Sequence, residues 1–146
     1  MNIYSSIRDT VSCEHVFVGL AGTPQGRLRR ALAVGDPLIA ITAASDVERL
    51  VLDDALALSV LLLRSSDRRA SRAAARAVGR FALEQPRVEL DELALLVSGL
   101  ERMLDGGGAP LGLRLALERR GLRAAREQLD RERYTGSVGG GGSARP

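Results

Sequence analysis

The chain has 146 residues and a formal net charge of +3, enough length for one domain with a sizeable core. All 21 of its Lys/Arg positions are arginine, which excludes a Schiff-base lysine and a phosphate-loop lysine. One cysteine (Cys13) and one histidine (His15) exclude an intramolecular disulfide and cannot close a structural zinc site.

Residues 1–22 mix polar and apolar side chains, with a short extended or helical piece at His15–Val18. They read as a poorly ordered or loosely docked segment ahead of a helical domain over 23–135. They also make a poor leader peptide, because Arg8 is the only early cation and Glu14 and His15 interrupt the apolar run Val11–Ala21. No stretch approaches the roughly 20 apolar residues that cross a bilayer. Together with the lone cysteine, this gives a cytoplasmic expectation and no membrane partner.

Helical signals begin at Thr23-Pro24, an N-cap followed by proline at the first helical position, and stop at Gly35. Asp36-Pro37 repeats the start signal for a second helix through Leu38–Ser45. Leu52–Arg64 follows, or a continuous helix from Asp46. Its only polar residues are Asp53, Asp54, Ser59 and Arg64, and a helix apolar nearly all round belongs inside a bundle. Ser65, Ser66 and Asp67 offer caps for a fourth helix ending before Pro86, with Ala70, Ala73, Ala74, Ala77, Val78 and Phe81 on one stripe. A fifth, Leu90–Leu104, buries Leu93, Leu96, Val97, Leu100 and Leu104. Gly106–Gly108 lacks the lysine and Ser/Thr of a phosphate loop and reads as a hinge. Two shorter helices near Leu111–Arg120 and Leu122–Glu132 are divided by Gly121. Residues 136–146 form a linker-like, disordered glycine-rich tail.

The class is therefore all-α: a helical bundle, or a short helical-hairpin (solenoid-like) array, of about six to seven helices. The solenoid alternative rests on an echo between Leu52-Asp-Asp-Ala-Leu-Ala-Leu and Leu90-Asp-Glu-Leu-Ala-Leu-Leu. Any two capped amphipathic helices in a chain so rich in Leu and Ala would look alike, so both alternatives stand.

In Leu28–Asp36–Leu38, Leu52–Leu58, Arg80–Pro86 and Arg119–Asp130, the chain resembles uncharacterised small helical proteins of GC-rich actinobacterial genomes. The resemblance covers about Arg27 to Asp130 and implies the fold and the compartment. It brings no assigned activity. A GC-rich genome is also a non-functional cause of the missing lysine.

Arg68, Arg72, Arg76 and Arg80 recur at i, i+4 along the fourth predicted helix, with Arg69 beside them. Like charges at that spacing destabilise an isolated helix by about 0.2–0.5 kcal/mol per pair. Either acids on neighbouring helices or an anionic partner would offset this, and arginine suits carboxylate and phosphate alike. The acidic segments on both sides, from Asp46 to Asp54 and from Glu84 to Asp105, favour a solvated or internally paired face.

Other candidates have simpler readings. Placing Gly121 at the turn of a helix-turn-helix over Ala116–Asp130 puts Arg120, Glu127 and Asp130 at positions that motif fills with apolar side chains. Cys13-Glu14-His15 lacks further metal ligands. Asp53/Asp54 and Asp91/Glu92 sit at helix starts, where capping and the helix dipole account for them. The chain thus reads as non-catalytic, without a cofactor or metal. It is an interaction module for a protein partner or for itself as a homo-oligomer, with an accessory that binds nucleic-acid backbone as the alternative. Candidate anion or partner contacts are Arg68, Arg69, Arg72, Arg76 and Arg80.

Overall fold

The computed structural model describes the backbone of residues 22–136 and the side chains of residues 22–131. Expectations placed on residues 1–21, including Cys13 and His15, and on residues 137–146 lie outside the described residues. Within them are seven helices and no strand: α1 (Pro24–Val34), α2 (Pro37–Ser45), α3 (Leu52–Arg64), α4 (Ala70–Glu84), α5 (Leu90–Leu104), α6 (Leu111–Arg119) and α7 (Arg123–Gly136).

The starts follow local chemistry. Thr23 caps α1 by accepting from the Gly26 amide at 3.0 Å. Asp36 caps α2 by accepting from Leu38 and Ile39 at 2.8 and 3.1 Å. In each, proline takes the first turn, where no amide is needed. Of the three caps expected before α4 none caps the helix itself, whose N-cap residue is Arg69 without a side-chain cap; Asp67 instead shapes the turn ahead of it, accepting from Arg69 N at 2.8 Å. No helix continues from Asp46 into α3, because the chain bends and Val51 is extended (φ −66°, ψ 145°).

Three helices end alike. A residue with positive φ follows the last turn at Ser66 (52°), Gly106 (82°) and Gly121 (67°). The amides of the next residues reach back to Leu62 O, Arg102 O and Leu117 O at 3.0, 2.8 and 2.9 Å. This is the Schellman arrangement, which satisfies carbonyls the helix leaves orphaned. The break at Gly106–Gly108 is therefore a built C-cap.

α3 is the axis of the molecule: α1, α2, α4, α5 and α7 all pack on it, while α6 bridges α5 and α7. In a solenoid each unit meets only its neighbours. The docking of α7 on α3 breaks that rule and makes this a bundle. Leu56, Ala57, Val60, Leu61, Leu62 and Leu63 of α3 are all buried. At roughly 1.5–3 kcal/mol for each large aliphatic side chain, this helix supplies the largest share of core burial. Ala125 and Leu129 of α7, with Leu122 just before it, are buried where α7 packs on α3, so self-association is not needed to hide α3.

Apolar surface is left elsewhere. α2 is the most apolar helix by sequence, yet Ala40 is its one fully buried residue. Leu38 and Ile39, with Val34 of α1, stay more than half exposed. In α5, Leu96 and Leu100 are buried as expected, but Leu93 and Val97 are only partly buried and Leu104 is half exposed, while Met103, not among the expected residues, is buried. Close approach explains the register of that helix. A Cβ on Gly99 would lie 2.8 Å from Leu113 Cβ, so α6 sits directly against α5 there.

Candidate interaction surface

The arginine row separates into three parts. Arg68 and Arg69 precede α4, which begins at Ala70. Arg72 and Arg76 project from the solvent side of α4, and Arg80 is half-buried. Arg80 grips Glu84 on its own helix in a bidentate contact, with Nε–Oε1 at 2.6 Å and Nη2–Oε2 at 3.0 Å. The hydrogen bond from Arg80 holds the Glu84 carboxyl below the ordinary carboxylate range. Among the described residues, Arg68, Arg72 and Arg76 form no ion pair. The acids on neighbouring helices, expected as their partners, are engaged elsewhere or face solvent. The face is solvated.

On a different face of α4 from this row, α4 and α5 part to leave an apolar groove of about 360 Å³. Its walls are Ala74, Ala75 and Val78 of α4 against Val97, Leu100 and Leu104 of α5, with Leu63 of α3 at its base. Early α4 residues face late α5 residues, as in an antiparallel hairpin whose open end has splayed. The short side chains of the α4 wall leave the space between the two helices unfilled. Ser71 and Glu101 are the polar members of the lining.

The carboxylates have tertiary roles that their place at helix starts concealed. Asp53 caps a different helix from its own: Oδ2 and Oδ1 accept from the Ala124 and Ala125 amides, each at 3.0 Å. That anchors the N-terminus of α7 to α3, where a carboxylate meets both free amides and the positive end of the dipole. Asp54 is fully buried under α1. Its Oδ2 accepts from Gln25 Nε2 and lies 3.5 Å from Arg29 Nε, while Oδ1 has no hydrogen-bond partner. Burial pushes this carboxyl above its ordinary range against the pull of Arg29, and Asp53 adds to the rise. A raised carboxyl suits proton transfer, but the Asp54 side chain has no exposed surface.

Two arginines act as clamps. Arg120 binds Glu92 through Nε (2.6 Å) and Nη2, and donates to Pro86 O and Arg87 O at 2.8 and 3.2 Å. It fixes the α4–α5 connection, in which Arg87 takes φ 52°, to the end of α6. The bond from Arg120 keeps the Glu92 carboxyl below its ordinary range. Arg114, nearly buried, donates to Leu129 O at 3.1 Å and pairs with Asp130. These bonds explain the failed helix-turn-helix match: Arg120 and Asp130 hold α5, α6 and α7 together where that motif would pack apolar side chains. From α7, Gln128 Nε2 donates to Leu32 O at 2.7 Å, and Arg131 binds Leu32 O and Ala33 O, closing the last turn of α1. Periodicity could not reveal Asp53, Asp54, Arg114 or Arg120. Their one sequence signal is a charge on a face otherwise read as apolar.

A second cleft, of about 310 Å³, lies between α1, α3 and α7, where Arg29, Arg123 and Arg131 face Asp53 and Glu127. Its charges are mixed, and Asp53 and Arg131 are committed to helix ends. Among the described residues no three His, Cys, Asp or Glu side chains group as metal ligands, and no helix is long and apolar enough to cross a membrane. Comparison with protein-family models, with curated proteins and with solved structures finds no match to this chain.

Proposed function

We propose that this chain is a non-catalytic, cytoplasmic interaction module that binds a protein partner through the α4–α5 face. The observation that carries the reading is the open apolar groove between α4 and α5. The outer face of α4 separately bears Arg72 and Arg76, two exposed cations with no ion pair among the described residues. Interfaces commonly join an apolar centre to an arginine rim. A second copy of the chain is the other protein occupant of such a surface, and light scattering at micromolar concentration distinguishes it, since a dimer doubles the mass.

The same arginines favour a second reading, attachment to nucleic-acid backbone without sequence recognition. Salt dependence separates the two. Phosphate contacts at Arg68, Arg72, Arg76 and Arg80 would weaken binding on the order of a hundredfold between about 50 and 200 mM salt. Replacing Arg72 and Arg76 by serine would flatten that slope. The expected result is no salt-steep binding to duplex or single-stranded nucleic acid in either form. Micromolar, sequence-independent binding lost in the double variant would replace the protein-partner reading with the second.

A further inference from the structure

We infer that the apolar groove between α1 and α2 is covered by the chain's own residues Val16–Ala21. This groove shares no residue with the one between α4 and α5, so the two stand or fall separately.

The groove, of about 550 Å³, has Ala31 and Val34 on its α1 wall and Leu38, Ile39 and Ala43 on its α2 wall. Val34 is 70% exposed, Leu38 69% and Ile39 51%. From Pro37 to Ser45, α2 carries no charge, so its wall calls for an uncharged neighbour.

The place where the chain enters the bundle identifies that neighbour. Arg27 lines the groove, and its guanidinium makes two contacts. Nη2 meets Asp46 Oδ2 at 3.3 Å, which ties the start of α1 to the end of α2. Nη1 donates to Gly22 O at 2.8 Å. Arg27 is the fourth residue of α1, and Gly22 precedes its Thr23 cap. Contact between these two positions commonly sets the angle at which a chain enters a helix. Here it draws Gly22 to the α1 wall that also bears Ala31 and Val34. Ala21 is bonded to Gly22, so the chain before α1 starts at the mouth of the groove with no linker between.

Composition and length agree with this occupant. Val16-Phe17-Val18-Gly19-Leu20-Ala21 contains no charged or hydrogen-bonding side chain. Six residues reach up to about 20 Å, and α1 rises about 15 Å from Pro24 to Val34. The segment is long enough to cover the wall as far as Val34. Because it is tethered, a contact too weak to join separate molecules suffices. A second copy is the poorer occupant. Nine residues line the groove, against the roughly 20–30 on each side of a stable interface.

The full chain, isotopically labelled for NMR, provides the test. Nuclear Overhauser contacts are expected from the Phe17 ring to the methyl groups of Val34, Leu38 and Ile39. Their loss in Phe17→Leu assigns them, since the other phenylalanine, Phe81, is buried in the core. Leu38→Asp, a change at an exposed position, should abolish the contacts to Val34 and Ile39 while circular dichroism shows unchanged helicity. A hydrophobic dye gives a second readout. Phe17→Asp combined with Leu20→Asp should uncover the groove and raise dye fluorescence about twofold. Adding Leu38→Asp and Ile39→Asp should reverse that rise. Contacts from Phe17 to another face of the bundle, or no contacts at all, would overturn the assignment. Contacts found only between differently labelled molecules would overturn it in favour of a second copy. A dye signal indifferent to Phe17→Asp with Leu20→Asp would overturn it as well, because the groove would then be open in the unmodified chain.

Discussion

Leu52-Asp53-Asp54 opens α3 and Leu90-Asp91-Glu92 opens α5, each after a residue that makes no side-chain cap. The sequences match in type at all three positions, and the surroundings differ at all three. Leu52 is 5% exposed and Leu90 84%. Asp53 anchors α7 through two amides, while Asp91 faces solvent. Asp54 is sealed under α1 with one oxygen unpartnered, and Glu92 sits in a bidentate grip from Arg120. The cause is topological: α3 has neighbours on every side, whereas the start of α5 lies at the rim. A local pattern sets where a helix begins, and the neighbours decide what its first turn does.

The first position should separate the two helices most. Leu52→Ala removes a buried side chain and should cost about 2–4 kcal/mol. Leu90→Ala should change stability by no more than about 0.5 kcal/mol. Urea unfolding of both variants measures the contrast. Equal losses would mean that Leu90 is covered, and the rim position of α5 would have to be abandoned.

The second position tests the cap that crosses between helices. Asp53→Ala frees two amides at the start of α7 and should cost about 1–2 kcal/mol, against less than about 0.5 kcal/mol for Asp91→Ala. Amide hydrogen exchange gives a sharper view. Protection at Ala124 and Ala125 should fall in Asp53→Ala more than in the rest of the bundle. Uniform loss of protection would show that Asp53 acts on the whole fold and not on the α7 terminus.

These contrasts show which parts of the molecule were legible in its sequence. Thr23-Pro24, Asp36-Pro37 and the apolar run of α3 carry their instructions within a few residues. The matching helices follow from capping and periodicity alone. The central place of α3 was readable for the same reason, since a helix apolar all round has nowhere else to go. What α3 buries against was not readable, because Asp53 finds its amides 71 residues away and Arg120 finds Glu92 at a separation of 28. No local period encodes such pairs. The arginine row was legible as a spacing and misleading as a unit. It began before the helix did, and its last member had an acid four residues on. The α4–α5 groove, on another face of α4, arises from how the two helices sit, which alanines on one wall permit but do not announce.

The third position gives the smallest effect and the most specific one, because the two carboxylates should respond to pH with opposite sign. Burial raises the Asp54 carboxyl above its ordinary value of 3.8. The folded chain therefore holds that proton more tightly than the unfolded chain, and its charged form costs stability at neutral pH. Acidification through the window between the raised value and 3.8 relieves the cost. Glu92 is held below its ordinary value of 4.5 by Arg120. Its stabilisation is complete above 4.5 and is lost as pH falls through the lowered value, and Glu84 shares that direction. Melting curves of Asp54→Asn and Glu92→Gln at constant salt, each compared with the unmodified chain from neutral pH downward, isolate the two contributions. The Asp54→Asn difference should favour the variant most near neutrality and shrink with acidification toward 3.8. The Glu92→Gln difference should disfavour the variant most near neutrality and shrink below 4.5. Two difference curves of the same sign would mean that Arg29 compensates Asp54 as fully as Arg120 compensates Glu92. Asp54 would then be a paired ion like its counterpart, and burial would not be what sets the two helix starts apart.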